Sequence, residues 1–264
     1  LDRCMEEGVQ FDCCIGVSAG SANMSSYVAG QHGRNKPFYQ DYSFRKEYMS
    51  VGNLVHKYSY LDLEYVYGAL SNAGGENPLD YPACAASPAE LVIVATDACT
   101  GKPVYFTKSD LHQNDYRPLM ASCCIPVIDR PYSIDGVPYY DGGLADPIPI
   151  LRSLHDGNER NLIVLTQPES YRKTLGRGVE LTAKWLKRKY PAMPKVLLER
   201  AKHYNETVCF CHRLAENKPQ DTVLLQPEKS LNSFEKDVKK LEWGYEMGYN
   251  MTCARMEQIK NLFR

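Results

Sequence analysis

Gly16-Val17-Ser18-Ala19-Gly20 is where this 264-residue chain most plainly carries a reactive group. A serine flanked by glycines at this spacing suits a nucleophile presented at a sharp turn from a strand into a helix. The hydroxyl then stands above the strand ends. Bulky side chains two residues away on either side would clash, and Gly16 and Gly20 are expected to remove that clash. A helix beginning near Ala19 aims free N–H groups and its positive dipole end at the point where an oxyanion develops in acyl transfer. The plainer reading is a glycine-rich turn with a solvated serine.

A serine nucleophile needs a base. Asp141, in Asp141-Gly142-Gly143, follows a strand pattern on a glycine-supported loop, where α/β folds place catalytic groups. A carboxylate held against the serine and partly desolvated has a raised pKa and takes the proton directly. Asp141 as a simple turn cap is the competing reading. A triad in the order Ser, Asp, His would instead need His155, His203 or His212. His155 falls at a helix end and the other two in a charged helical region, so a histidine base has weak support.

The elements that must position these groups follow from pattern. Residues 11–17 read as a buried strand, and the small residues after Ser18 as a helix that packs closely on it. Residues 1–8 read as the end of a helix, with Gly8 as its C-cap. The tyrosine-rich stretch from Gly30 to Ala73 reads as irregular structure with short helices, either a lid over the site or surface packing. Residues 89–96 form a strong strand pattern, joined by a turn at Thr100–Pro103 to a second strand at 104–106. A helix is expected over 115–124, ended by Pro126.

Asp135-Gly136 lies between Tyr132–Ile134 and Val137–Tyr140, which predicts a two-residue hairpin. Asp146-Pro147 predicts an N-cap and first-turn proline for a helix reaching His155. Strands follow at 161–166 and 221–226. The spacing of Phe234, Val238, Leu241 and Tyr245 predicts an amphipathic helix docked on the body.

Composition narrows the class. Hydrophobic residues make up 44% and charged residues 24%, with a net charge of −1, so no global charge draws the chain to nucleic acid. Ten cysteines include no C-x-x-C pair, which argues against zinc, and Cys13-Cys14 and Cys123-Cys124 sit in apolar runs. A glycan on the sequon at Asn23 would crowd Ser18; the other sequons are Asn205 and Asn250. Free cysteines and this crowding favour a reducing, cytoplasmic setting. No run approaches the length of a membrane span. Lys184, Lys187, Arg188 and Lys189 surround Trp185 and Leu186, which reads as a solvated basic face or, more sharply, as peripheral contact with anionic lipid.

The elbow at Gly16–Ser21, the ASCCIP segment at Ala121–Pro126, the DGG at Asp141–Gly143 and the ADPIP that follows resemble the patatin-like phospholipase family. The similarity runs from residue 1 to about Thr166, and TQPESYRK at 166–173 looks like the extension of bacterial members. The resemblance implies a three-layer α/β/α core over residues 1–170 and a mainly helical extension, 171–264, packed on it. It also implies metal-free and cofactor-free hydrolysis of lipid acyl esters by a Ser18–Asp141 dyad, with Gly16, Ala19, Gly20, Gly142 and Gly143 supporting the site and oxyanion. The family's G-x-G-x-x-G oxyanion loop does not occur in this sequence, so the chain as written is expected to be impaired. A Ser-His-Asp α/β-hydrolase esterase and a non-catalytic lipid-binding relative are the alternative readings.

Overall fold

A computed structural model describes residues 1–126 and 128–264. Its centre is the strand Glu90–Asp97, here β2, buried from Leu91 to Thr96 because both of its faces are covered. Cys13–Val17 (β1) pairs with it in parallel, from Cys13 opposite Glu90 to Val17 opposite Val94. Pro103–Thr107 (β3) returns antiparallel, with Thr107 opposite Val92 and Pro103 opposite Thr96. The predicted hairpin is present as Tyr132–Ile134 (β4) and Val137–Asp141 (β5), turned by Asp135 and Gly136 with φ of 50° and 84°.

β5 also pairs antiparallel with β2, setting Asp141 opposite Ala95 and Tyr139 opposite Asp97. Since Ala95 and Thr96 also face β3, β1 and β5 share the remaining edge of β2. β1 runs up that edge and ends at Val17. β5 runs down it and ends at Asp141. The two strands therefore meet head to head across consecutive residues, Val94 and Ala95.

Helices make up much of the rest of the chain. In chain order they are α1 (Asp2–Glu6), α2 (Ala19–Val28), α3 (Lys36–Gln40), α4 (Val51–Lys57), α5 (Tyr81–Ala86), α6 (Arg117–Cys123), α7 (Ile150–His155), α8 (Val179–Lys187), α9 (Met193–Asn217) and α10 (Val238–Asn261). α2 and α6 pack on β1, β2 and β5 and on each other, within a mixed α/β arrangement consistent with the expected α/β/α core, and the C-terminal part is mainly helical. The core centres on Leu91, Ile93, Leu111, Tyr116 and Tyr140. Asn161–Val164 (β6) and Thr222–Leu225 (β7) form a separate parallel pair whose partners lie on either side of residue 170. Among the described residues no helix is long and apolar enough to cross a membrane.

Two local expectations are corrected. No helix starts at Asp146-Pro147; α7 begins only at Ile150. Asp146 is buried and its carboxylate accepts the Tyr105 hydroxyl at 2.8 Å, so it is not free to cap. Pro149 also disfavours the helical region for Ile148 before it. The stripe from Phe234 does not lie on one helix either. Asp237 caps α10, accepting from Lys239 N at 2.9 Å, so Phe234 stays outside and packs edge-on to Tyr60. Val238 is exposed, and the buried face of α10 is Thr252, Met256 and Ile259.

Candidate active site

Ser18 is the single residue that turns β1 into α2. Its φ of 54° and ψ of −133° are strained for a residue with a side chain. Three contacts hold it there. The Ser18 N–H donates to Ser122 Oγ at 2.8 Å, and that hydroxyl donates to the Val94 carbonyl at 2.7 Å. The Ser18 carbonyl accepts from both the backbone N–H (2.8 Å) and the hydroxyl (2.6 Å) of Ser21. Gly16 is required for close approach: a Cβ on it would lie 2.4 Å from Ser21 Cα, a backbone atom that cannot step aside.

Asp141 ends β5 and is 7% exposed. Its N–H donates to the Cys124 carbonyl at 2.7 Å, and its own carbonyl accepts the Thr96 hydroxyl at 2.8 Å. Its carboxylate Oδ1 accepts the Gly143 N–H at 2.7 Å. Gly142 lets this turn lie against β2, since a Cβ there would sit 2.1 Å from the Val94 carbonyl oxygen. Burial pushes the Asp141 carboxyl above the usual aspartate range. The Ser18 hydroxyl, the Gly143 N–H and the charges of Arg200 and Lys173 pull in the other direction.

The Ser18 hydroxyl thus favours the ionised carboxylate of Asp141. Ser18 also lies near Cys123, whose thiol is pushed up to about 12 by burial and stays protonated. The ASCCIP segment therefore knits the two residues together. Ser122 holds Ser18 by its hydroxyl, and Cys124 holds Asp141 by its carbonyl.

Two cations from the C-terminal part complete the surroundings. Arg200, on α9, donates through Nε to the Gly143 carbonyl at 2.9 Å. Lys173 is fixed by Asn205, whose amide group accepts the Lys173 N–H at 2.9 Å and donates to the Lys173 carbonyl at 2.8 Å. Its ammonium lies 5.0 Å from the centre of the Tyr204 ring. Burial, together with repulsion from Arg200, brings Lys173 down to about 8, against the attraction of Asp141. Among the described residues neither cation has a carboxylate within ion-pair distance.

With this geometry in place, comparison with known families is decisive over the first part of the chain, where residues 2–153 match the profile of patatin-like phospholipases. The chain belongs to the patatin-like phospholipase family. Residues 190–264 match a domain of unknown function (DUF6363). The chain is also 26% identical over 182 residues to YjjU, an uncharacterized protein of Escherichia coli (strain K12), covering 67% of this chain and 47% of that protein. It therefore spans about half the length of this curated relative.

Within the patatin-like core, the supporting positions behave differently from one another. Gly20 does not relieve a clash: a Cβ on it would meet nothing within 4 Å, so the small residue leaves open space beside Ser18. The Gly143 N–H is occupied by Asp141 and is not available to an oxyanion. The Ala19 N–H, at the exposed first turn of α2, has no acceptor among the described residues. The histidines lie elsewhere. His155 is exposed and faces Asp156; His203 neighbours Asp146, and His212 is half-buried on α9 with its Nε2 unpartnered among the described residues. A cleft of about 620 Å³ between Pro168–Arg172 and Gln226–Glu228 includes neither Ser18 nor Asp141 and is not the site of this chemistry.

Arg200 and Lys173 carry no signal that marks them from sequence. Arg200 sits among ordinary surface charges of a long helix. Lys173 lies in TQPESYRK, whose only hint was its likeness to bacterial relatives. Ser122 is one small residue in a small-residue helix end.

Proposed function

We propose that this protein hydrolyses acyl esters of lipids through an acyl-enzyme on Ser18, with Asp141 as its base. The observation that carries this is a buried, partly compensated carboxylate whose ionised form the strained elbow serine favours, with no histidine among the described groups that shift it. Family membership supports hydrolase chemistry of this kind.

In this reading Ser18 Oγ attacks the ester carbonyl carbon while its proton passes to Asp141. The carbonyl oxygen becomes an oxyanion, and the free Ala19 N–H with the α2 dipole faces it. Asp141 then returns the proton to the departing alcohol oxygen as the C–O bond breaks. Water attacks the acyl-enzyme with Asp141 again taking the proton, and the fatty acid leaves with Ser18 restored.

A fluorophosphonate probe tests the assignment. It should label wild-type protein on Ser18 and leave Ser18→Ala unlabelled, and p-nitrophenyl ester turnover should vanish in that variant. Folding stability should stay within about 0.5 kcal/mol, because one small side chain replaces another. Turnover retained by purified Ser18→Ala would overturn the nucleophile assignment.

A further inference from the structure

α8 has two faces of opposite meaning. Val179, Ala183 and Leu186 recur at i, i+4 and i+7 and turn inward, with Ala183 and Leu186 buried, and Tyr190 is buried just past the helix end. Leu181, Lys184, Trp185 and Arg188 recur at i, i+3, i+4 and i+7 and turn outward. On that outer ridge Leu181 is 72% and Trp185 68% exposed. A solvated charged face accounts for the lysines and the arginine but not for a leucine and a tryptophan side by side in water. The charge is as local as the apolar pair. Between residues 172 and 189 the cations Arg172, Lys173, Arg177, Lys184, Lys187, Arg188 and Lys189 are opposed only by Glu180, in a chain whose net charge is −1.

We propose that the outer ridge of α8 is a docking surface for an anionic lipid bilayer. The occupant follows from the arrangement. Trp185 and Leu181 form an apolar tip suited to the boundary between headgroups and acyl chains. Lys184 and Arg188 flank the tip, with long stems that lie along apolar material and charged ends that reach phosphates. Lys187 and Lys189 add to the attraction from either side. Leu175, exposed in the segment leading from Lys173 into α8, extends the apolar contact toward the residues around Asp141.

The test uses the full chain with Ser18→Ala, so that lipid binding is read apart from hydrolysis, and a failure here leaves the hydrolase reading standing. The chain has two tryptophans, Trp185 and Trp243, and Trp243→Phe makes Trp185 the sole reporter. Vesicles of phosphatidylcholine and phosphatidylglycerol in equal parts should co-sediment the protein and shift Trp185 emission to the blue. Vesicles of phosphatidylcholine alone should bind far less, and raised salt should release the protein. Leu181→Ser with Trp185→Ser, read by sedimentation, should weaken binding at least about tenfold. Lys184→Glu with Arg188→Glu should abolish the preference for the anionic vesicle. All four side chains point outward, and circular dichroism checks that each variant is folded. No binding to the anionic vesicles, binding with unchanged Trp185 emission, or equal binding by the variants would each overturn the proposal.

Discussion

Arg200 reaches Asp141 through one residue. Its Nε donates to the Gly143 carbonyl at 2.9 Å, and the Gly143 N–H donates to the Asp141 carboxylate at 2.7 Å. A guanidinium on α9 thus holds the turn that carries the proposed base, and its charge, with that of Lys173, opposes the effect of burial on Asp141. Asp141 must be ionised to accept a proton. Removing positive charge raises its pKa further, so activity should be lost at a higher pH than in the parent. Arg200→Gln and Lys173→Met should each move the acid limb of the pH–rate profile upward, and Arg200→Lys, which keeps the charge, should move it less. Profiles of kcat against pH for the three variants check this; unmoved limbs would make the contact purely structural.

The identity of the base is tested by the substitution pattern. Asp141→Asn keeps the shape but cannot take a proton near neutral pH, so activity should fall to the level of Ser18→Ala. His155→Ala, His203→Ala and His212→Ala should each retain most of it. One histidine variant that is folded and as inactive as Ser18→Ala would restore a histidine triad.

The two elbow glycines separate in the structure and should separate in the laboratory. Gly16→Ala places its methyl against the Ser21 backbone and should cost about 1–3 kcal/mol together with most of the activity. Gly20→Ala meets open space on a helix and should fold at least as well, gaining about 0.5–1 kcal/mol of helix propensity. Denaturation midpoints decide between them. A Gly20→Ala that is stable but slow would show that the open space beside Ser18 belongs to the substrate.

Asp129 ties residue 61 to the end of the ASCCIP segment, accepting from Leu61 N at 3.0 Å and Ile125 N at 3.3 Å. Burial raises its pKa to about 6, against the opposing pull of these N–H groups. A raised carboxyl contributes stability that is complete below its unfolded pKa, near 4, and is lost as pH rises through about 6. Asp129→Asn removes that dependence. Its stability relative to the parent should therefore rise by on the order of 2–3 kcal/mol between pH 4 and pH 7. Urea midpoints at the two pH values measure the change, and a constant difference would show that Asp129 titrates normally.

Much of this was legible in the residues. The elbow, the β4–β5 hairpin and the position of Asp141 at a strand end are local features, written in glycine spacing and alternating apolar runs. The head-to-head meeting of β1 and β5 is not local. Val17 and Asp141 are far apart in sequence, and nothing in either stretch states that both pair with one edge of β2. Arg200 was invisible for a similar reason: its role comes from a single long-range contact with Gly143. Asp146 misled because an Asp-Pro pair before an apolar run reads as a cap, whereas its carboxylate had already been taken by Tyr105.

The pairing of β6 with β7 has a consequence for the birth of the molecule. Ser18 and Asp141 both precede residue 170 in the chain, yet β6 waits for residues 222–225 and the Gly143 turn waits for Arg200. A nascent or proteolysed chain that stops near 170 would carry both proposed reacting side chains without the Arg200 contact that holds the Gly143 turn beside one of them. On the reading proposed for Ser18 and Asp141, the pair is therefore completed only after the partner strand and the helix that carries Arg200 have been made.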